Sequence, residues 1–286
     1  MTSELAERLT AAGLNPPAVE NLVRVALAED GDVDVTSEPI FGSDDTSSGE
    51  FVARQDGVVA GLPVAEVVFE LLGLTGGQAA RDGDRVRAGD VLITITGPTR
   101  SVLRAERTAL NFLTHLSGIA TATSRWADAV QGTTARIRDT RKTLPGLRAL
   151  QKYAVRCGGG VNHRLSLADA ALVKDNHIAA AGSVTKAYEA IRARYPGAHI
   201  QVECDTLAQV DEALAAGAGS LLLDNMGGAD LTEAVRRARG RAELEASGGL
   251  TLDRARDVAA TGVDYLAVGA LTHSAPALDI GLDFAS

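Results

Sequence analysis

Four cations and two carboxylates carry the chemistry this chain could do. Arg141, Lys142, Arg164 and Lys174 fall in a stretch, Arg136 to Lys174, with nine Lys or Arg against two acids. The other 19 bases are spread through an acidic remainder with 35 Asp or Glu. A basic segment inside an acidic protein points to a focused anion site. Guanidinium groups grip carboxylates in a two-pronged fork, and ammonium groups act as compact charges for phosphate or diphosphate. Beyond the basic stretch stand Glu203 and Asp224. Two such carboxylates at one site can hold Mg²⁺ or ribose hydroxyls, and can stabilise a developing positive charge. Ser247-Gly248-Gly249 and Val268-Gly269-Ala270 offer small residues where backbone N–H groups can approach a phosphate. Cations, carboxylates and phosphate loops together suit a polyanionic sugar substrate.

Elements must bring these groups to one place. From about residue 134 short apolar runs alternate with helical patterns, giving expected strands at 134–139, 171–174, 199–204, 219–224, 242–247 and 263–268. Helices are expected between them at 183–195, 206–216, 229–239 and 252–261. Strands separated by helices require right-handed crossovers and a parallel sheet, and six repeats favour closure toward a (β/α) barrel. Such barrels place their sites at the carboxyl ends of the strands, where each candidate above stands except Arg164, which lies in the loop before 171–174. The first third reads as mixed α/β: a helix over 19–27 after Pro17, strands at 51–61 and 90–96, and helical spacing over 64–72. The turn-rich segment 82–92 resembles a biotinyl or lipoyl carrier. No lysine precedes Lys142, however, so a plain β scaffold is the better account. A long helix over 103–130 is expected to break near Ser117-Gly118. Arg148, Lys152 and Arg156 recur at helical spacing and read as an exposed face.

Composition bounds the function classes. With 286 residues, 45% hydrophobic and 23% charged, the chain is an ordinary globular protein, large enough for a barrel with a small companion. A net charge of −9 and 3% aromatic residues argue against general binding to nucleic acid or anionic lipid. No apolar run reaches the ~20 residues a membrane span needs, and Glu4, Glu7 and Arg8 interrupt any export signal. Cys157 and Cys204 form neither a CxxC nor a ligand cluster, which fits a reducing cytoplasm better than a zinc or disulfide framework.

The run DTRKTLPGLRALQKYAVRCGGGVNHRLSLADAALVKDNH, residues 139 to 177, resembles the central motif of the quinolinate phosphoribosyltransferase family, the carboxylating nicotinate-nucleotide pyrophosphorylases. Similar segments extend over nearly the whole chain: LAEDGDVDVTS at 27–37, ERTALNFLTHLSGIAT at 106–121, LLLDNM at 221–226, ASGGL at 246–250 and GVDYLAVGALTHS at 262–274. The resemblance implies an α/β fold, an incomplete (β/α) barrel over 115–274 with a smaller N-terminal α/β domain over 1–114, and a tail, 275–286, that returns to that first domain. It implies quinolinate and 5-phosphoribosyl 1-diphosphate as substrates, with Mg²⁺. Nicotinate mononucleotide, diphosphate and CO₂ are the products, in NAD biosynthesis.

By the same resemblance Arg141, His163, Arg164 and Lys174, with Thr140 beside them, match quinolinate-binding positions. Lys142, Glu203 and Asp224 match groups around the phosphoribosyl diphosphate and its metal. Lys142, Lys174, Glu203 and Asp224 are the catalytic candidates. Ser247, Gly248, Gly249, Val268, Gly269 and Ala270 match the 5′-phosphate cradle. Arg107 matches an arginine that reaches into a partner's active site, so a homodimer with shared sites, or a higher assembly, is expected. One departure is Ala267, where many relatives have Ser. Two other classes stay open on the residues alone. Lys174 ends a barrel strand as a Schiff-base aldolase lysine would, but a strongly anionic ligand opposes the depressed pKa such a lysine needs. A non-catalytic carrier is the other.

Overall fold

A computed structural model describes residues 1–284. In chain order its elements are α1 (Ser3–Ala11), α2 (Pro16–Glu29), α3 (Ser37–Ile40), β1 (Thr46–Ala53), β2 (Gly57–Val58), α4 (Leu62–Leu71), β3 (Thr75–Gln78), β4 (Arg85–Val86), β5 (Val91–Pro98) and α5 (Thr99–Ala129). There follow β6 (Arg136–Arg138), α6 (Arg148–Cys157), β7 (Ala171–Val173), α7 (Asp175–Ala181), α8 (Val184–Arg194), β8 (Ile200–Cys204) and α9 (Leu207–Ala215). The series ends with β9 (Ser220–Asp224), α10 (Gly228–Ala238), β10 (Glu243–Ser247), α11 (Ala255–Ala260), β11 (Tyr265–Ala267), α12 (Ala270–His273) and β12 (Ile280–Phe284). Two compact units result: the first holds residues 1–124, 143–159 and those from 271 on, the second 125–142 and 160–270.

The second unit is built on six parallel strands in the order β6-β11-β10-β9-β8-β7. Consecutive strands are neighbours from β7 to β11, as helical crossovers demand. Strands β6 and β7 stand at the two ends of that order, which makes the (β/α) barrel incomplete. The interior strands are buried along their length: all five residues of β8, and Ser220 to Leu223 of β9. That is the pattern of parallel strands covered on both faces. Local signals agree with the tertiary plan. Thr206 and Gln209 close a reciprocal cap on α9, and Ser183 accepts from the Lys186 N–H at the start of α8.

In the first unit β12, β1, β5 and β3 make an antiparallel sheet in that order. Its outer strand is the returning tail, of which residues 285 and 286 lie outside the described residues. The apolar spacing at 64–72 forms α4, buried at Val64, Val67 and Val68. The expected strand at 51–61 is interrupted: β1 ends at Ala53 and β2 covers only Gly57–Val58. The carrier-like segment is two copies of one tight turn, Arg81-Asp-Gly-Asp84 and Arg87-Ala-Gly-Asp90. In each the final Asp side chain accepts from the Arg N–H at 2.8 Å, and the glycine sits at φ +95°.

Two expectations are corrected here. The long helix does not break at Ser117-Gly118; α5 runs unbroken. Gly118 serves close approach instead, because a Cβ there would sit 2.1 Å from the Pro276 carbonyl oxygen and 2.9 Å from the Ala277 Cα. Gly118→Ala is therefore expected to destabilise by about 2 kcal/mol, read as a lower Tm. An unchanged Tm would mean that segment 276–277 yields freely. Second, Lys152 is fully buried and engaged, as is Gln151, whereas Arg156 is exposed. The spacing located a helix face but could not say which side packs inward. No helix among the described residues is long and apolar enough to cross a membrane.

Candidate active site

At the carboxyl ends of the second unit's strands lies a cavity of about 400 Å³. Its walls come from nearly every strand end: Thr140, Arg141 and Lys142 after β6, Leu172 and Lys174 at β7, Glu203 of β8, Leu222 and Asp224 of β9, Glu245 and Ser247 of β10, and Ala267 of β11. His163 and Arg164 enter from the loop before β7. Parallel register explains the gathering. Glu203 pairs with Leu222, Leu222 with Glu245, and Asp224 with Ser247. The two-residue period then turns Leu222 with Asp224, and Glu245 with Ser247, to one side.

The cationic wall is strained by its own charge. Arg141 and Arg164 each bury an Nε with no hydrogen-bond partner in the protein. Arg164 spends one terminal nitrogen on the Ala170 carbonyl at 2.6 Å. Burial, and then the Arg141 guanidinium beside it, push the Arg164 pKa below the ordinary arginine value. Unpaired buried donors and mutual repulsion are relieved together by an anion between the two forks. A planar carboxylate fits that demand.

Lys174 stands at the end of β7, where its Nζ donates to Glu203 Oε2 at 2.7 Å. This pair joins the cationic wall to the acidic one. Asp224 Oδ2 accepts from Asn225 Nδ2 at 2.6 Å, and Asn225 itself adopts φ +54° with its N–H donating to the Ser247 carbonyl at 2.9 Å. A Cβ on Gly248 would meet Asn225 Oδ1 at 2.2 Å, so glycine is required for the two strand ends to meet. Lys142 is exposed at the rim.

Behind the cations Asp139 is fully buried and accepts from the His163 N–H at 2.8 Å and from Asn162 Nδ2 at 2.6 Å. It fixes the loop that carries His163 and Arg164. Below the acidic wall, Arg138, Gln201 and Glu245 form a polar layer that sequence reasoning did not single out. Its signal was nevertheless present, since each stands two residues before a strand-end candidate: Thr140, Glu203 and Ser247.

Thr140, Arg141, Lys142, His163, Arg164, Lys174, Glu203, Asp224 and Ser247 thus share one cavity. Gly248, Gly249, Val268, Gly269 and Ala270 are not among its lining residues, and the Val268 side chain is buried in the core. Arg107 belongs to the first unit, exposed on α5 beside a hollow that also involves Asp30 to Val35, Arg100 and Arg104. Ala267, the departure noted above, lines the cavity.

Residues 34–117 match the model of the quinolinate phosphoribosyl transferase N-terminal domain, and residues 119–283 that of its C-terminal domain. A nicotinate-nucleotide pyrophosphorylase (carboxylating) from Mycobacterium leprae is 51% identical over 275 residues, 93% of this chain and 97% of the relative. A probable enzyme of the same name from Bacillus subtilis is 40% identical, covering 94% of each chain. Among solved structures, the nicotinate-nucleotide pyrophosphorylase from Francisella tularensis superposes with a TM-score of 0.91 at 38% identity, over 94% of this chain and 96% of that one.

Proposed function

This chain belongs to the quinolinate phosphoribosyltransferase family, and we propose that the cavity at its barrel strand ends is where the family's reaction runs. The activity is that of a carboxylating nicotinate-nucleotide pyrophosphorylase, a pentosyltransferase of NAD biosynthesis. Quinolinate and 5-phosphoribosyl 1-diphosphate combine to nicotinate mononucleotide, diphosphate and CO₂. The observation that carries the assignment to this cavity is the pair of half-buried arginines whose Nε donors are buried and unpaired, sharing the cavity with Glu203, Asp224 and Glu245.

In this reading Arg141 and Arg164, helped by His163, Lys174 and Thr140, hold the two carboxylates of the pyridine and fix its ring. Such positioning is worth several kcal/mol when the nitrogen is aimed at the anomeric carbon. The pyridine nitrogen forms a bond to that carbon as the bond to the diphosphate oxygen breaks, and the electron pair leaves with the diphosphate. The ribose passes through oxocarbenium character, which Glu203 and Asp224 stabilise. Lys142 balances charge on the departing diphosphate. The ring nitrogen is then cationic, so the C2–carboxylate bond can break with its electrons retained beside N⁺. CO₂ departs and C2 takes a proton from solvent. Ser247, Gly248, Gly249, Val268, Gly269 and Ala270 are assigned to the 5′-phosphate on the motif.

Mg²⁺ fits as a passenger of the diphosphate. No cluster of three His, Cys, Asp or Glu suited to a metal exists among the described residues, and Lys174 occupies only Oε2 of Glu203. Glu203 and Asp224 would be the ion's protein-side holders, since hard cations of this kind take oxygen ligands. Bound there, with Glu203 and Asp224 as its protein-side partners, it would neutralise leaving-group charge. A cytoplasmic enzyme acting as a homodimer completes the proposal, with Arg107 serving the partner's cavity. The dimer is tested by complementation between inactive Arg107→Ala and Arg164→Ala proteins. Half of a random mixture is heterodimeric with one intact site each, so about a quarter of wild-type activity returns on mixing. No return argues that each chain supplies its own Arg107.

The test of the activity is release of CO₂ and diphosphate from quinolinate, measured with and without phosphoribosyl diphosphate. Release only when both substrates are present is expected. CO₂ from quinolinate alone would refute the order of bond changes, since the unsubstituted ring lacks the cationic nitrogen.

A further inference from the structure

Asn225 touches a carboxylate of the reacting site without lining the cavity. Its Nδ2 donates to Asp224 Oδ2 at 2.6 Å, and Asp224 is one of the cavity walls. Asn225 thus holds one oxygen of Asp224, as Lys174 holds one oxygen of Glu203. An exposed amide would ordinarily drift, because water competes for the same carboxylate. Here the backbone leaves it little freedom. The Asn225 N–H donates to the Ser247 carbonyl at 2.9 Å, which ties the end of β9 to the end of β10. At φ +54° the residue stands in the left-handed region, which asparagine enters more readily than most side chains. Its amide then occupies the space that a Cβ at Gly248 would need.

Two accounts of asparagine at this position can be separated. A need for left-handed backbone alone would be met as well by glycine, which adopts φ +54° without steric cost. What glycine cannot supply is the donor. An ionised carboxylate only accepts, so the amide must turn its NH₂ to Asp224, and its carbonyl is the end left against Gly248. Aspartate has the same shape and also tolerates the left-handed region, but it offers a charge in place of the N–H.

We propose that Asn225 is a positioning residue for the reaction: through Nδ2 it fixes the Asp224 carboxylate in the orientation that faces the ribose. The proposal rests on the family's reaction running in this cavity with Asp224 beside the sugar. A carboxylate oriented in advance meets developing positive charge without having to turn as the reaction proceeds, so the benefit falls on the transition state. The cations assigned to quinolinate stand elsewhere, after β6, at the end of β7 and in the loop before it. Binding of the diacid is therefore indifferent to Asn225.

The experiment is steady-state kinetics of the full-length enzyme with quinolinate and phosphoribosyl diphosphate. Asn225→Gly is expected to lower kcat about tenfold, with the KM for quinolinate changed by less than about twofold. At about pH 8, where both carboxylates are ionised, Asn225→Asp should lose at least as much, because like charges side by side drive Asp224 from its place. In an Asp224→Ala background Asn225→Gly costs less than about twofold further, since a residue acting through Asp224 has nothing left to orient. Wild-type kcat in Asn225→Gly overturns the proposal, as does an equal loss with and without Asp224. Should glycine loosen the strand ends, the aspartate protein still decides: full activity in it means that no donor is needed, and overturns the proposal too. Failure of the wild type to turn over quinolinate overturns the reading of the reaction instead, and is told apart because it needs no variant.

Discussion

Offered nicotinate in place of quinolinate, the enzyme is expected to lose at least a hundredfold in kcat/KM. Nicotinate lacks the C2 carboxylate, so one of the two guanidiniums enters the complex desolvated and unpaired. Arg164 is the group most exposed to this penalty, because burial and Arg141 already weigh on its charge and its Nε has no partner in the protein. Leaving one member of a buried charge pair unmatched costs about 3 to 5 kcal/mol. At about 1.4 kcal/mol per decade this is two to three and a half orders of magnitude. The same arithmetic applies from the protein side, and Arg164→Ala should narrow the preference by lowering quinolinate turnover and relieving the penalty that nicotinate pays. Competition kinetics with the two acids, on wild type and variant, measure both. Comparable turnover of the two acids by the wild type would contradict the assignment of the guanidinium pair to a diacid.

Glu203→Gln should lower kcat by about a hundredfold to a thousandfold with little change in the KM for quinolinate. Glutamine keeps an oxygen for Lys174 Nζ, which donates across 2.7 Å, and removes only the charge. The ion pair itself contributes little to ground-state binding, since the Lys174 side chain is 47% exposed. A fixed negative charge facing a developing cation acts chiefly in the transition state, and removing one such group typically costs that range. Loss confined to kcat is the signature of an interaction made late on the reaction path. A raised KM with unchanged kcat would instead make Glu203 a binding group and shift the stabilising role to Asp224.

The barrel was legible because its strands are short, apolar and punctuated by glycine and by polar strand ends. The six expected strands appear within a residue or two of their places. The cations and carboxylates were legible for a related reason, since the architecture itself sends strand-end residues to one mouth. Strand interiors hid the rest. Gln201 and Glu245 sit in buried runs where a polar residue looks like an exception, and only register shows that Glu245 lies level with Leu222 in the cavity wall. Lys152 failed for the complementary reason: a basic residue at helical spacing looks solvated until packing is known. Gly118 marked a close approach by residues 276 and 277, distant in sequence and invisible to any local pattern.

The returning strand β12 has a consequence for how the protein is made. Strand β1 lies between β12 and β5, so until β12 arrives its outer row of amides and carbonyls is bare. Translation must continue from Pro98 to Ile280 before that edge can be covered. At ribosomal speed this leaves the nascent chain with an adhesive border for about ten to forty seconds. A message truncated just short of the final strand would deliver every cavity residue and still release a product prone to stick to its own kind.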